Sequence, residues 1–149
     1  MNRFKKVMSR WGPSLVWMAA IYGMSALGTD EPPEPNLLTL LIKKTGHVIE
    51  YALLAALYSR ALSRGAPLSL GVVAASVGLA VLYAVSDEFH QSYVPGRHGQ
   101  ALDVIIDLGG TLMGVYLWRR WREGRIRLPG FLVRWGLPAR GSTGVVSDT

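Results

Sequence analysis

The sequence predicts an all-α polytopic membrane protein, a bundle of four transmembrane helices with both termini in the cytoplasm. Three observations carry that expectation. Half of the 149 residues are hydrophobic and only 17% are charged, a low charge content for a water-soluble domain. The apolar residues are gathered into four stretches of membrane-crossing length. The basic residues cluster between those stretches in a pattern that sorts to one side.

The first stretch runs from about Trp11 to Gly28 and contains no charged residue. The second, from about Thr45 to Leu62, carries Glu50 and Arg60. The third, from about Pro67 to Ser86, is again uncharged, and the fourth, from about Ala101 to Trp118, carries Asp103 and Asp107 near its start. Each is close to the ~20 residues that cross a hydrocarbon core as a helix. In lipid the backbone must satisfy its own hydrogen bonds, which favours helices. The domain organisation read from this is a cytoplasmic arm over residues 1–10, a transmembrane domain over 11–118, and a basic cytoplasmic tail over 119–149 whose end is disordered.

Orientation follows from charge. Arg3, Lys5, Lys6 and Arg10 precede the first span. Arg60 and Arg64 mark the second connection, and the tail carries seven arginines. In a four-span arrangement all of these fall on one side, thirteen basic residues against Lys43, Lys44 and Arg97 on the other. The positive-inside rule makes the richer side cytoplasmic, and the expected location is the cytoplasmic (plasma) membrane. The net charge of +6 is explained by this placement, so no nucleic-acid partner is inferred. Trp118 and Trp121 among the tail arginines fit an inner surface of anionic lipid. The absence of cysteine excludes disulfides and thiolate metal sites. A basic start, an apolar core and the small residues Ser25-Ala26-Leu27-Gly28 also resemble a signal peptide, but the length of the core favours an uncleaved helix. The acidic, proline-rich stretch from Thr29 to Asn36 is expected to be extended. The apolar run Leu37–Ile42 fits the outer interface.

The informative residues are the polar ones at membrane depth, where ionisable groups are costly and face a bundle interior or a water-filled cavity. His47, Glu50, Asp103 and Asp107 lie within spans. Asp87, Glu88, His90 and Gln91 directly follow the third. In the N-in arrangement all eight fall in one outer layer. His47, Glu50, Tyr51 and Leu54 share a helical face, as do Asp103, Asp107, Gly110 and Gly114. If the third helix continues past Ser86, Tyr83, Asp87, His90 and Gln91 share one too. Gly110 and Gly114 form a small-residue pair that lets a neighbouring helix approach closely. The expectation is a polar pocket at the outer end of the bundle, with Arg97 in the Pro95-Gly96-Arg97 turn at its rim. There a guanidinium either grips phosphate or carboxylate in bidentate fashion or pairs with an internal carboxylate.

These residues also carry a resemblance. Lys44, His47, Glu50 and Tyr51, then Asp87-Glu88-Phe89-His90-Gln91, then Pro95-Gly96-Arg97, then Asp103 and Asp107-Leu108-Gly109-Gly110 occur in the order and spacing of the VanZ-like family, membrane proteins associated with teicoplanin resistance. Relatives look to carry asparagine where Asp107 stands. The resemblance implies a multi-pass fold and a link to the cell envelope. It carries over no reaction.

Three kinds of role fit the pocket. Crowded carboxylates shift one another's proton affinity and can supply an acid and a base. Glu50 is then the candidate base, with His47, Asp87 and His90 as proton-handling partners. Arg97, Glu88, Gln91, Asp103 and Asp107 are the candidate ligand-binding residues, facing an anionic lipid head group such as a lipid-linked phosphate or cell-wall precursor. Imidazole with carboxylates also suits a divalent metal, and His47-x-x-Glu50 puts two such groups on one face. A satisfied network that only fixes helix packing fits equally. No serine or lysine in this layer has the sequence setting of an activated nucleophile. Lys43 and Lys44 read as interface anchors, and the tyrosines as packing residues.

Overall fold

The computed structural model describes residues 2–27, 36–95 and 101–126. These form four helices: α1 (Arg3–Ala26), α2 (Leu37–Ser63), α3 (Leu70–Gln91) and α4 (Ala101–Arg122). There is no strand among the described residues. Residues 28–35, residues 96–100 with Arg97, and the tail from residue 127 lie outside them.

Each expected span lies within one helix or nearly so, and the differences are local. α1 begins at Arg3, so the basic arm is itself helical. Pro13 lies inside α1 and has no N–H to donate to the Ser9 carbonyl one turn earlier. Arg60 fills that gap from α2: its guanidinium donates to the carbonyls of Ser9 and Arg10, both at 3.2 Å. α2 starts at Asn36, whose side chain accepts from the Thr39 backbone N–H at 2.8 Å and from its hydroxyl at 2.9 Å, an N-cap that satisfies an otherwise orphan donor. The apolar run Leu37–Ile42 is therefore the first turns of α2. Ser69 caps α3 in the same way through Val72. α2 ends on Arg64 and Gly65, both with positive φ, the left-handed turn that closes many helices. α3 continues to Gln91, past the expected limit at Ser86.

α2 and α4 make the most extensive helix pair, and their sequences show why. A Cβ on Gly110 would lie 2.5 Å from the Val48 carbonyl oxygen, and one on Gly114 would lie closer still to that of Ala52. The glycines let two backbones touch, as their four-residue spacing anticipated. Around this seam Tyr51, Leu54, Ala55, Tyr58, Ala80, Ala84, Val115 and Ile21 form the apolar core. Tyr58 donates to the Met18 sulfur and Tyr83 to the Met18 carbonyl at 2.6 Å, tying α1 to α2 and α3. Trp17 adds a bond to the Glu50 carbonyl at 3.0 Å. Trp118 and Trp121 are buried, with ring centroids 5.0 Å apart. They pack into the bundle, where the sequence had placed them at a lipid surface. Both continue the inward stripe of Asp107, Gly110, Thr111, Gly114 and Val115.

The outside of the molecule is apolar. Leu82, Phe89 and Ile105 are 69%, 66% and 64% exposed. By length and composition α3 and α4 are the two helices fit to cross a membrane. α1 and α2 carry more charge along their lengths, including Lys5, Lys6 and Arg10 on the first and Lys43, Lys44, Glu50 and Arg60 on the second.

Candidate functional site

The polar residues gather at the end where α1 and α3 finish and α4 begins. Two sub-clusters form there. In the first, Ser25 at the end of α1 donates to an Asp87 carboxylate oxygen at 2.9 Å. The Gln91 amide donates to the same oxygen at 3.0 Å and to the Ser25 hydroxyl at 3.2 Å. In the second, Lys44 of α2 pairs with Asp103 of α4. One turn further in, His47 Nδ1 lies 3.0 Å from an Asp107 carboxylate oxygen. Glu88 of α3 faces His47 and Asp107, with a potential ligand atom from each of the three within 4.8 Å of the others.

The helix pattern explains this convergence. In α3, Ser76, Ala80, Ala84, Asp87, Glu88 and Gln91 are the buried positions, recurring at helical spacing on one inward face. In α4, Asp103 and Asp107 sit on the stripe that continues into Gly110 and Gly114, so the glycine contact draws both carboxylates onto α2. Asp87, Glu88, Gln91, Asp103 and Asp107 are all buried.

A cavity of about 150 Å³ opens between the sub-clusters, lined by Met24, Ser25, Lys43, Gly46, His47, Glu50 and Gln91. At roughly 30 Å³ per water, it holds a handful of waters or one compact polar group. Its wall offers a hydroxyl, an ammonium, an imidazole, a carboxylate and an amide, so it can donate to and accept from a small charged ligand.

Of the sequence-derived site residues, the structure thus brings together His47, Glu50, Asp87, Glu88, Gln91, Asp103 and Asp107. His90 stands apart from this group: its ring stacks on Tyr22 of α1, centroids 4.5 Å apart. Arg97 lies outside the described residues. Glu50 lines the cavity, while the metal-like grouping pairs His47 with Glu88 and Asp107, residues distant in sequence. Two members escaped the sequence reading. Ser25 was read only as a small residue, although its place at the end of the first apolar stretch, level with Asp87, was the available signal. Lys44, read as an interface anchor, is instead the partner of Asp103.

A family model matches most of the chain. The model of VanZ/LLP1 covers residues 2–122, from the start of α1 to the end of α4. The chain belongs to the VanZ/LLP1 family. No curated protein and no solved structure matches it. The VanZ/LLP1 match takes in all four helices, so the polar end of the bundle lies wholly within the family region.

Proposed function

We propose that this VanZ/LLP1 protein is a multi-pass protein of the cytoplasmic membrane, with four transmembrane helices and both termini cytoplasmic. Its outer-leaflet pocket binds an anionic lipid head group, and its envelope role bears on sensitivity to a glycopeptide such as teicoplanin.

The observation that carries this reading is the inverted distribution of polarity. Asp87, Glu88, Gln91, Asp103 and Asp107 are inside, whereas Leu82, Phe89 and Ile105 are outside. Water favours the reverse; lipid favours this arrangement. α1 and α2 complete the bundle, and their charges lie either near its ends or on inward faces. The cavity adds the head-group element. Lys43 offers a positive charge, while Ser25 and Gln91 offer neutral polar groups. Arg97, which lies outside the described residues, is the guanidinium the sequence offers for phosphate.

A second reading has its own support. Ser25, Asp87 and Gln91 bond mutually, and Lys44 pairs with Asp103, as in a network whose task is to fix helix ends. Native mass spectrometry of the full chain in mild detergent separates the two. Phosphatidylglycerol and phosphatidylcholine of equal chain length are the probes. The head-group reading expects about tenfold preference for the anionic lipid (about 1.4 kcal/mol), reduced in Arg97→Lys and Lys43→Gln. Equal retention of both lipids by the folded wild type supports the packing network instead.

A further inference from the structure

We propose that His47, Glu88 and Asp107 form a divalent-cation site between α2, α3 and α4. The three come from three helices and sit within 4.8 Å of one another by their potential ligand atoms. His47 Nδ1 and the nearer Asp107 oxygen are 3.0 Å apart. Two ligands bound at about 2.0–2.2 Å to one zinc-like ion stand about 3–3.5 Å apart. That pair is already at ligand spacing, and Glu88 presents a carboxylate oxygen within 4.8 Å of both.

Burial supplies an independent indication. Asp107 is 1% exposed and Glu88 7%. The second oxygen of Asp107, Oδ2, is buried and has no hydrogen-bond donor among the described residues. A buried carboxylate oxygen without a donor forfeits its hydration for nothing in return, and a cation is the partner that most fully restores it. Two carboxylates, a neutral imidazole and a divalent ion sum to zero charge, which suits an apolar bundle. The Lys44 ammonium is engaged by Asp103, so it serves the outer carboxylate of α4 while Asp107, one turn deeper, is left to the ion. One nitrogen and two carboxylate ligands fit zinc or manganese better than a soft metal.

The ligand set has an open side. His47 also lines the cavity, so a fourth ligand, water or an anionic oxygen, approaches from there. That the fourth ligand is a head-group phosphate rests on the reading above; the ion itself does not.

The test uses the full chain in nanodiscs of zwitterionic lipid, stripped with chelator and titrated with Zn²⁺ and Mn²⁺ against a competing dye. Metal content after desalting is read by mass spectrometry. The expected result is one ion per chain, with affinity reduced about tenfold or more in His47→Ala, Glu88→Gln and Asp107→Asn and unchanged in Glu123→Gln, a carboxylate beyond the far end of α4. Asp107→Asn keeps the shape of the side chain, and circular dichroism of each variant checks that the helices persist. A folded wild type that holds no stoichiometric ion, or variants that bind as the wild type does, overturns the proposal. An ion that binds while phosphatidylglycerol is not preferred upholds the metal site and removes the head-group reading alone.

Discussion

At the end of the bundle where α1 and α3 finish, side chains bond to side chains: Ser25 and Gln91 to Asp87, Lys44 to Asp103, His47 to Asp107. At the opposite end, apart from the Ser59–Ser76 hydroxyl pair, side chains bond to backbone. Arg60 reaches the Ser9 and Arg10 carbonyls, Ser63 the Arg60 carbonyl, and Arg122 the Gly65 carbonyl. Beyond α4 the charges are outward: Glu123 bonds Arg119 at 2.9 Å, and that bond holds its carboxyl below the usual range. The difference separates two uses of polarity. Arginine on a backbone carbonyl closes a gap in the helical ladder, at Pro13 inside α1 or just past the end of α2. Carboxylates packed against imidazole and amide close nothing of the kind, and buried oxygens on Asp87 and Asp107 have no donor among the described residues. These open carboxylate oxygens lie at the end where the proposed ligand is expected.

Between the ends lies the glycine seam, and disturbing it tests whether the two ends are mechanically joined. Gly114→Val places a branched side chain against the Ala52 backbone, which cannot rotate away. The expected loss is roughly 3 kcal/mol, the upper part of the overpacking range, seen as a large fall in unfolding temperature in detergent. Lys44–Asp103 and His47–Asp107 bridge the same two helices, so cation and lipid binding should fall with it. A Gly114→Val protein with wild-type thermal stability would mean that α2 and α4 are not in backbone contact.

The next effect belongs to the polar end alone. Asp87→Ala removes the common acceptor of Ser25 and Gln91. A buried network that loses its acceptor is destabilised by about 2 kcal/mol. Asp87→Asn retains an acceptor oxygen and should recover much of that. The readout that sharpens the comparison is local hydrogen exchange: the last turns of α1 and α3 should lose protection in Asp87→Ala, while the first turns of α1 near Arg60 should not. Uniform loss along α1 would mean that the ends are not independent.

Much of this was legible in the sequence because the membrane-length pattern is coarse. Four apolar stretches gave four helices, and the Gly110–Gly114 spacing gave the close approach. It did not name α2 as the partner, since a small-residue pair is equally open to any neighbour. The layer argument located Asp87, Glu88, Asp103 and Asp107 because each breaks an apolar run and is conspicuous. Ser25 breaks nothing, being small and common in such helices, and so passed as part of a processing-like motif. Trp118 and Trp121 were misplaced for a related reason. An indole beside arginine fits either an interface or a core, and the choice depends on where the α4 stripe points at its last turn, which follows from the glycine contact two turns earlier. Arg60 read as a topology charge, yet the Pro13 gap it fills was visible in principle as a proline inside a helix with an arginine at the facing end.

That gap offers the smallest and most selective test. Pro13 leaves the Ser9 carbonyl without its usual helical donor, and the Arg60 guanidinium takes the place. Arg60→Ala removes both donations from a half-buried site, where solvent can partly replace them, so the expected cost is about 1 kcal/mol. Arg60→Lys keeps the charge but has no fork to span two carbonyls, and should recover only part of it. Restoring the backbone donor by Pro13→Ala should then make Arg60→Ala less damaging, because the Ser9 carbonyl again has a partner of its own. The double-mutant cycle read by thermal unfolding checks this directly. A coupling energy near zero between Pro13 and Arg60 would show that the arginine acts as a surface charge only, and the contrast between a carbonyl-capping end and a ligand-building end would lose its best-defined member.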